Sequence, residues 1–145
     1  MSQDQRLWPA NARVAHTSLQ GQVTQPVVAG ETYRVAVPVL GLYCAPDARQ
    51  LDRQMVLGQA FCVLEIHDGQ AFGFMPAPDG RPSYVGYAAA HGLAQGGPAP
   101  THRVAAIRSL AFAGPSIKTP DPVPLPFGAQ VAVTAEEGAL MQIAT

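Results

Sequence analysis

Charged residues are scarce in this 145-residue chain, at 13% of the total, which is about half the usual share. No cluster of Lys and Arg occurs and the net charge is -1. A nucleic-acid surface needs clustered cations to neutralise phosphates, so that class of partner is excluded. No apolar run approaches the ~18 residues of a membrane-spanning helix, which excludes a membrane partner of that kind. The opening "MSQDQRLWPA" lacks the basic and apolar regions of a secretory signal, and as encoded the chain is expected to be cytoplasmic. Only two cysteines are present, Cys44 and Cys62. They allow at most one disulfide, too few for a stapled secreted scaffold. Both stand between apolar neighbours, in "LYCAP" and "AFCVL", and read as small buried hydrophobes. A catalytic thiolate at either position would need an electropositive setting and a nearby histidine, which nothing local supplies.

What the chain has is apolar material, 48% of its residues, enough for a folded core. Helical spacing is rare. One weak case is "ANARVAHTSLQG", where Ala12, Ala15 and Leu19 precede Gly21, and it predicts a short helix or an ordered arm. The remainder reads as short strands, "TYRVAVPV", "QAFCVLEI", "QAFGFM", "SYVGYA", "HRVAAI" and "QVAVTA", each bounded by turn-forming residues. Asp-Gly pairs in "HDGQ" and "APDGRP" predict hairpin turns. Between residues 94 and 101 the run "AQGGPAPT" marks a linker.

The stretches on either side of that linker look alike. Arg34, Val35 and Ala36 match Arg103, Val104 and Ala105, while Tyr43 and Pro46 match Phe112 and Pro115. Gly58, Phe61 and Val63 then match Gly128, Val131 and Val133, and "HDGQAFGFM" meets "EEGALMQIA". Two copies of one small β unit are predicted: an arm over 1-29, a first unit over 30-95, a linker over 96-101 and a second unit over 102-145. The closing "VTAEEGALMQIAT" aligns with the middle of the first unit, which predicts a turn at Glu137-Gly138 and a strand from Leu140 to Ile143. The second unit is therefore expected to be incomplete, with an open edge that invites strand pairing. The prolines of "TPDPVPLPFG" are never three apart, so this run is expected to be an extended edge segment in a long loop rather than a polyproline ligand.

Leu57-Gly58, Asp68-Gly69, Phe72-Gly73, Asp79-Gly80 and Tyr84-Val85-Gly86-Tyr87 together resemble a bacterial SH3 domain. The opening "QRLWPANARVAHTSLQGQV", followed by two such units, is similar to the N-terminal half of NlpC-type cell-wall cysteine peptidases. These cleave the γ-D-glutamyl to diamino-acid bond of peptidoglycan stem peptides. The resemblance implies an all-β fold of two small SH3-like barrels in tandem, the second truncated, behind a mostly irregular or short-helical arm. It also implies a targeting and substrate-positioning role, with a stem peptide or muropeptide and the parent's catalytic domain as partners.

The family's Asp-Cys-Ser nucleophile segment and later histidine have no counterpart around Cys44 or Cys62, so this chain is not expected to be an enzyme. The four histidines, His16, His67, His91 and His102, form no metal-ligand spacing, and no metal or cofactor is expected. They read as surface or strand-edge residues. A groove on an SH3-like barrel would draw on Tyr43, Phe72, Tyr84 and Tyr87, with Asp79 placed to meet an amine. Phe72 is expected in the core. For the tyrosines core and groove remain open, and regular alternation puts Tyr84 and Tyr87 on opposite faces. An alternative is an interaction protein whose open second barrel is completed by a partner strand or by a second copy in a homodimer.

Overall fold

Turn residues cut the chain into short strands, and the computed structural model, which describes residues 4–144, is all-β with three short 3₁₀ turns. The arm carries β1 (Ala15–His16) and β2 (Val27–Val28), paired in parallel. The helical spacing of Ala12, Ala15 and Leu19 yields no α-helix, only a 3₁₀ turn over Thr17–Leu19. His16 caps that turn by accepting the Ser18 N–H. Val14, Ala15 and Leu19 are buried by docking of the arm, so their spacing reflects contact rather than helix.

Seven strands follow: β3 (Glu31–Val35), β4 (Val39–Tyr43), β5 (Leu51–Val56), β6 (Ala60–His67), β7 (Gln70–Pro76), β8 (Pro82–Ala89) and β9 (Leu93–Ala94). They form one antiparallel sheet in the order β5-β4-β8-β7-β6-β3-β9. The run "TYRVAVPV" is not one strand. It ends β3 at Val35 and begins β4 at Val39, because the chain turns through Ala36 to Pro38. Asp68 and Gly69, at φ 50 and φ 74, make the tight turn between β6 and β7, with both central residues at positive φ as hairpin twist requires. The second Asp-Gly lies in a five-residue loop, 77 to 81, closed by Ala77 N–H donating to the Arg81 carbonyl at 2.9 Å.

Period-two alternation divides β6, β7 and β8 between two apolar layers. One face supplies Phe61, Val63, Ala71 and Ala88 to a cluster closed by Val35, Leu40, Leu42, Met55 and Leu93. The other face supplies Leu64, Phe72, Phe74 and Val85, and Val14 from the arm covers them. Both faces being covered explains why "AFCVLEI" and "QAFGFM" are nearly continuous in apolar residues. Register shifts at Val63/Glu65 and Phe74/Met75 increase the twist that wraps the sheet around its first cluster.

After residue 101 come β10 (His102–Arg103), β11 (Arg108–Ala111), β12 (Val123–Pro126), β13 (Gln130–Val131), β14 (Val133–Glu137) and β15 (Leu140–Ile143). They pair as β10-β13, β11-β12 and β14-β15. The sequence repeat is repeated in backbone hydrogen bonds. Gly58 N–H donates to the Val35 carbonyl at 2.8 Å, and Gly128 N–H to Val104 at 2.9 Å. Leu57 bonds Pro38 at 3.1 Å just as Phe127 bonds Ile107 at 3.2 Å. The proline run is extended, as expected, but residues 123 to 126 form a strand against β11 rather than loop. The last hairpin turn is Gly138-Ala139, one residue later than expected, since Glu137 pairs with Leu140 across it. The two equivalent turns meet: Gln130 N–H donates to the Leu57 carbonyl at 2.7 Å.

Candidate functional site

The arm does more than cover the sheet. A 3₁₀ turn over Gln5–Leu7, capped by Asp4 through its bond from Arg6 N–H, leads into Trp8, which is half-buried. Between this segment, the β4–β5 hairpin and β8 lies a cleft of about 240 Å³. Trp8 and Arg6 line it from the arm, Cys44 and Asp52 from the hairpin, and Phe72 and Tyr87 from β7 and β8. Arg6 is engaged by Asp4 at 3.1 Å. Asp52 has no ion-pair or hydrogen-bonding side-chain partner among the described residues, and it is exposed. The cleft thus offers a carboxylate with no hydrogen-bonded partner, whose charge is felt by the Arg6 guanidinium in the same lining, beside a phenol and an indole, a set suited to a cationic group with an apolar body.

Tyr87 is held from behind. Asn11 Nδ2 donates to its oxygen at 3.3 Å and to Glu65 Oε2 at 3.1 Å. Its ring packs on Phe72 with centroids 4.9 Å apart. Arg13 completes the arm's attachment as a fork on Glu65, with Nε to Oε1 at 2.6 Å and Nη2 to Oε2 at 2.9 Å. That hydrogen bond from Arg13, aided by Asn11, holds the Glu65 carboxyl below the usual carboxylate range. A second depression of about 400 Å³ is lined by Arg13 and Glu65 of this fork together with Asp47, His67 and Tyr87. Among the described residues no group of three or more His, Cys, Asp and Glu is placed to hold a metal ion.

The expected site residues separate. Tyr43 and Tyr87 are brought together as cross-strand partners of β4 and β8, but only Tyr87 lines a cleft. Phe72 is buried at the cleft floor, in keeping with a core role. Tyr84, at φ 42, is the extra residue of the bulge between β7 and β8. It is 40% exposed, with the Arg53 guanidinium 4.0 Å above its ring. Regular alternation did not anticipate that bulge. Asp79 is not at the cleft. It sits in the β7–β8 loop, where it accepts the Arg81 backbone N–H at 3.0 Å and pairs with the Arg81 side chain at 2.5 Å. Those bonds, backbone first, hold its carboxyl below the usual range. The carboxylate that lines the cleft is Asp52, and nothing in "QLDRQ" singled it out.

Both cysteines are free. Cys44 is exposed in the cleft, not buried as its apolar neighbours suggested, because it follows the last residue of β4 where the hairpin turns outward. Cys62 is half-buried with Sγ 3.6 Å from the Ala29 carbonyl, and burial pushes its thiol up. His67, His91 and His102 are exposed. His16 stands edge-on to Phe74 at 5.0 Å, and burial lowers its affinity for a proton. Compared with protein-family models and with curated proteins, the chain matches none.

Proposed function

We propose that the chain is the recognition region of a cell-wall peptide hydrolase of the NlpC type, binding peptidoglycan stem peptides in the arm cleft. The cleft carries this reading, because the unpaired Asp52 carboxylate faces it beside Trp8 and Tyr87. An ammonium at a peptide end satisfies Asp52, and the apolar part of the end residue rests on the aromatic walls. The sheet supports the SH3-like reading too. A long β4–β5 hairpin, three consecutive antiparallel strands and a 3₁₀ turn over Ala90–Gly92 precede β9, which returns to β3. The repeated hydrogen bonds around Gly58 and Gly128 support a tandem of such units, the second shorter.

Titration calorimetry tests this with a stem tripeptide bearing a free N-terminal amine. Asp52→Asn is expected to weaken binding about tenfold, the scale of one charge-assisted bond at a partly solvated site. N-acetylation of the peptide should cost about as much in the wild type and little more in the variant. Equal affinity for free and acetylated peptide would sink the assignment of Asp52. Release of a new amine from a muropeptide by this chain alone would overturn the recognition-only reading.

One observation favours a second reading, completion by strand pairing. In the first repeat β7 carries β8 on its outer edge, whereas β15, its counterpart, pairs only with β14 among the described residues. Ile107 and Phe127 in the same repeat are exposed. If a second copy covers this edge, sedimentation equilibrium at micromolar concentration gives a dimer. A monomer at about 50 μM, where a weak association of ordinary strength would already show, counts against it.

A further inference from the structure

The geometry points to Asn11 as a positioning residue that turns the Tyr87 hydroxyl into a hydrogen-bond donor, directed at a carbonyl or carboxylate oxygen of the ligand. The inference rests on the arm cleft being the ligand site. The Asn11 amide has one workable orientation. Its Oδ1 accepts the backbone N–H groups of Arg13 and Val14, each at 2.9 Å. Nδ2 therefore faces Glu65 Oε2 and Tyr87 Oη. A flipped amide would set its oxygen against a carboxylate and its NH₂ against two N–H groups. The backbone of Asn11 is pinned as well. Its N–H donates to the Val14 carbonyl at 2.9 Å, and its carbonyl accepts from Gln25 Nε2 at 2.6 Å.

The consequence for Tyr87 follows from what a phenol can do. It has one hydrogen to give and an oxygen that accepts. Toward Asn11 the oxygen accepts, and Nδ2 offers nothing that could receive the phenol hydrogen. No described side chain or carbonyl takes that hydrogen either. It is left for a ligand atom that reaches Tyr87, which lines both the arm cleft and the depression beside the Glu65 fork. Asp52 and Tyr87 then play opposite parts: the carboxylate receives from the ligand and the phenol gives to it. Without Asn11 no described donor holds the Tyr87 oxygen as an acceptor, and the hydroxyl rotates freely.

A double-mutant cycle on the full chain tests the coupling, with the same free-amine stem tripeptide as probe. Asn11→Ser keeps a side-chain oxygen for the Arg13 and Val14 N–H groups and removes both Nδ2 donors. Tyr87→Phe and Asn11→Ser are each expected to weaken binding about five- to tenfold, and in the Tyr87→Phe background Asn11→Ser should cost less than about twofold. An equal loss from Asn11→Ser in both backgrounds overturns the inference, because Asn11 then acts only by holding the arm. Weakening by Asp52→Asn and Tyr87→Phe without any from Asn11→Ser overturns the inference and leaves the ligand site standing. No saturable binding by the wild type overturns both. If the serine variant does not fold, Asn11→Thr keeps an oxygen for the backbone cap, removes the same donors and sets no carboxylate against Glu65, and its cycle with Tyr87→Phe decides.

Discussion

Phe61→Ala is expected to lower the free energy of unfolding by about 3–5 kcal/mol, the range for emptying a buried aromatic site. Phe61 is 0% exposed and is the largest fully buried side chain among the described residues. It stands on β6 in the apolar cluster with Val35, Leu42, Met55 and Ala71, and those neighbours come from β3, β4, β5 and β7. The strands are tied to one another by hydrogen bonds on both sides of β6, so the space left by the ring has no easy way to close. Loss of transfer energy and loss of packing contacts then add. Against a total stability of about 5–15 kcal/mol for an ordinary domain, the variant is marginal or unfolded at 37 °C. In urea its midpoint should fall with little change in slope. Ile107→Ala is the matched control: Ile107 is 93% exposed and its truncation should move stability by less than about 0.5 kcal/mol. A Phe61→Ala midpoint as close to wild type as the control's would contradict the core described for this sheet.

Gly73→Ala should be of similar size from the opposite cause, excess volume. A Cβ at residue 73 would lie 1.9 Å from the Cys62 carbonyl oxygen and 2.9 Å from its carbonyl carbon. Both are backbone atoms of β6, so no rotamer change relieves the overlap. The two strands must part where Val63 pairs with Gly73, beside the bulge that ends at Glu65. Overpacking of this kind costs about 1–3 kcal/mol and sometimes more, and each ladder bond lost adds about 1 kcal/mol. The damage should reach the cleft, because the adjacent Phe72 forms its floor. Thermal unfolding followed by circular dichroism, with tripeptide titration on whatever remains folded, measures both effects. Wild-type stability in Gly73→Ala would mean that β6 and β7 do not approach this closely.

How far each feature was legible in the sequence depends on how local its cause is. The Asp68-Gly69 turn is set by two adjacent residues that tolerate positive φ, and it lies where the sequence places it. The alternate turn at Gly138 shifted by one residue because a single glycine satisfies either of two neighbouring registers. The hairpin of β4 and β5 went unread. Of β5 only Met55 is buried, and "LDRQ" shows no apolar alternation to mark it. The bulge at Tyr84 went unread for a related reason, since one extra residue in β8 leaves no mark in the apolar alternation.

By itself the sequence determined that the chain is all-β, where most of its strands and turns lie, and that residues around Gly58 and Gly128 are built alike. These follow from backbone preferences and short-range apolar patterning, which neighbouring residues impose on one another. Only the tertiary structure decided the candidate site. Trp8, Asp52 and Tyr87 are far apart in the chain, and they share a cleft because the arm docks on the outer face of a coiled sheet. That docking depends on Val14 covering Phe72 and Phe74, and on the Arg13 fork to Glu65. Tyr43 and Asp79 carry suitable chemistry but do not line that cleft, and Asp79 is paired with Arg81 in its loop. Residue type announces what a side chain can do. Which side chains act together is settled by long-range packing, to which no local pattern in the sequence corresponds.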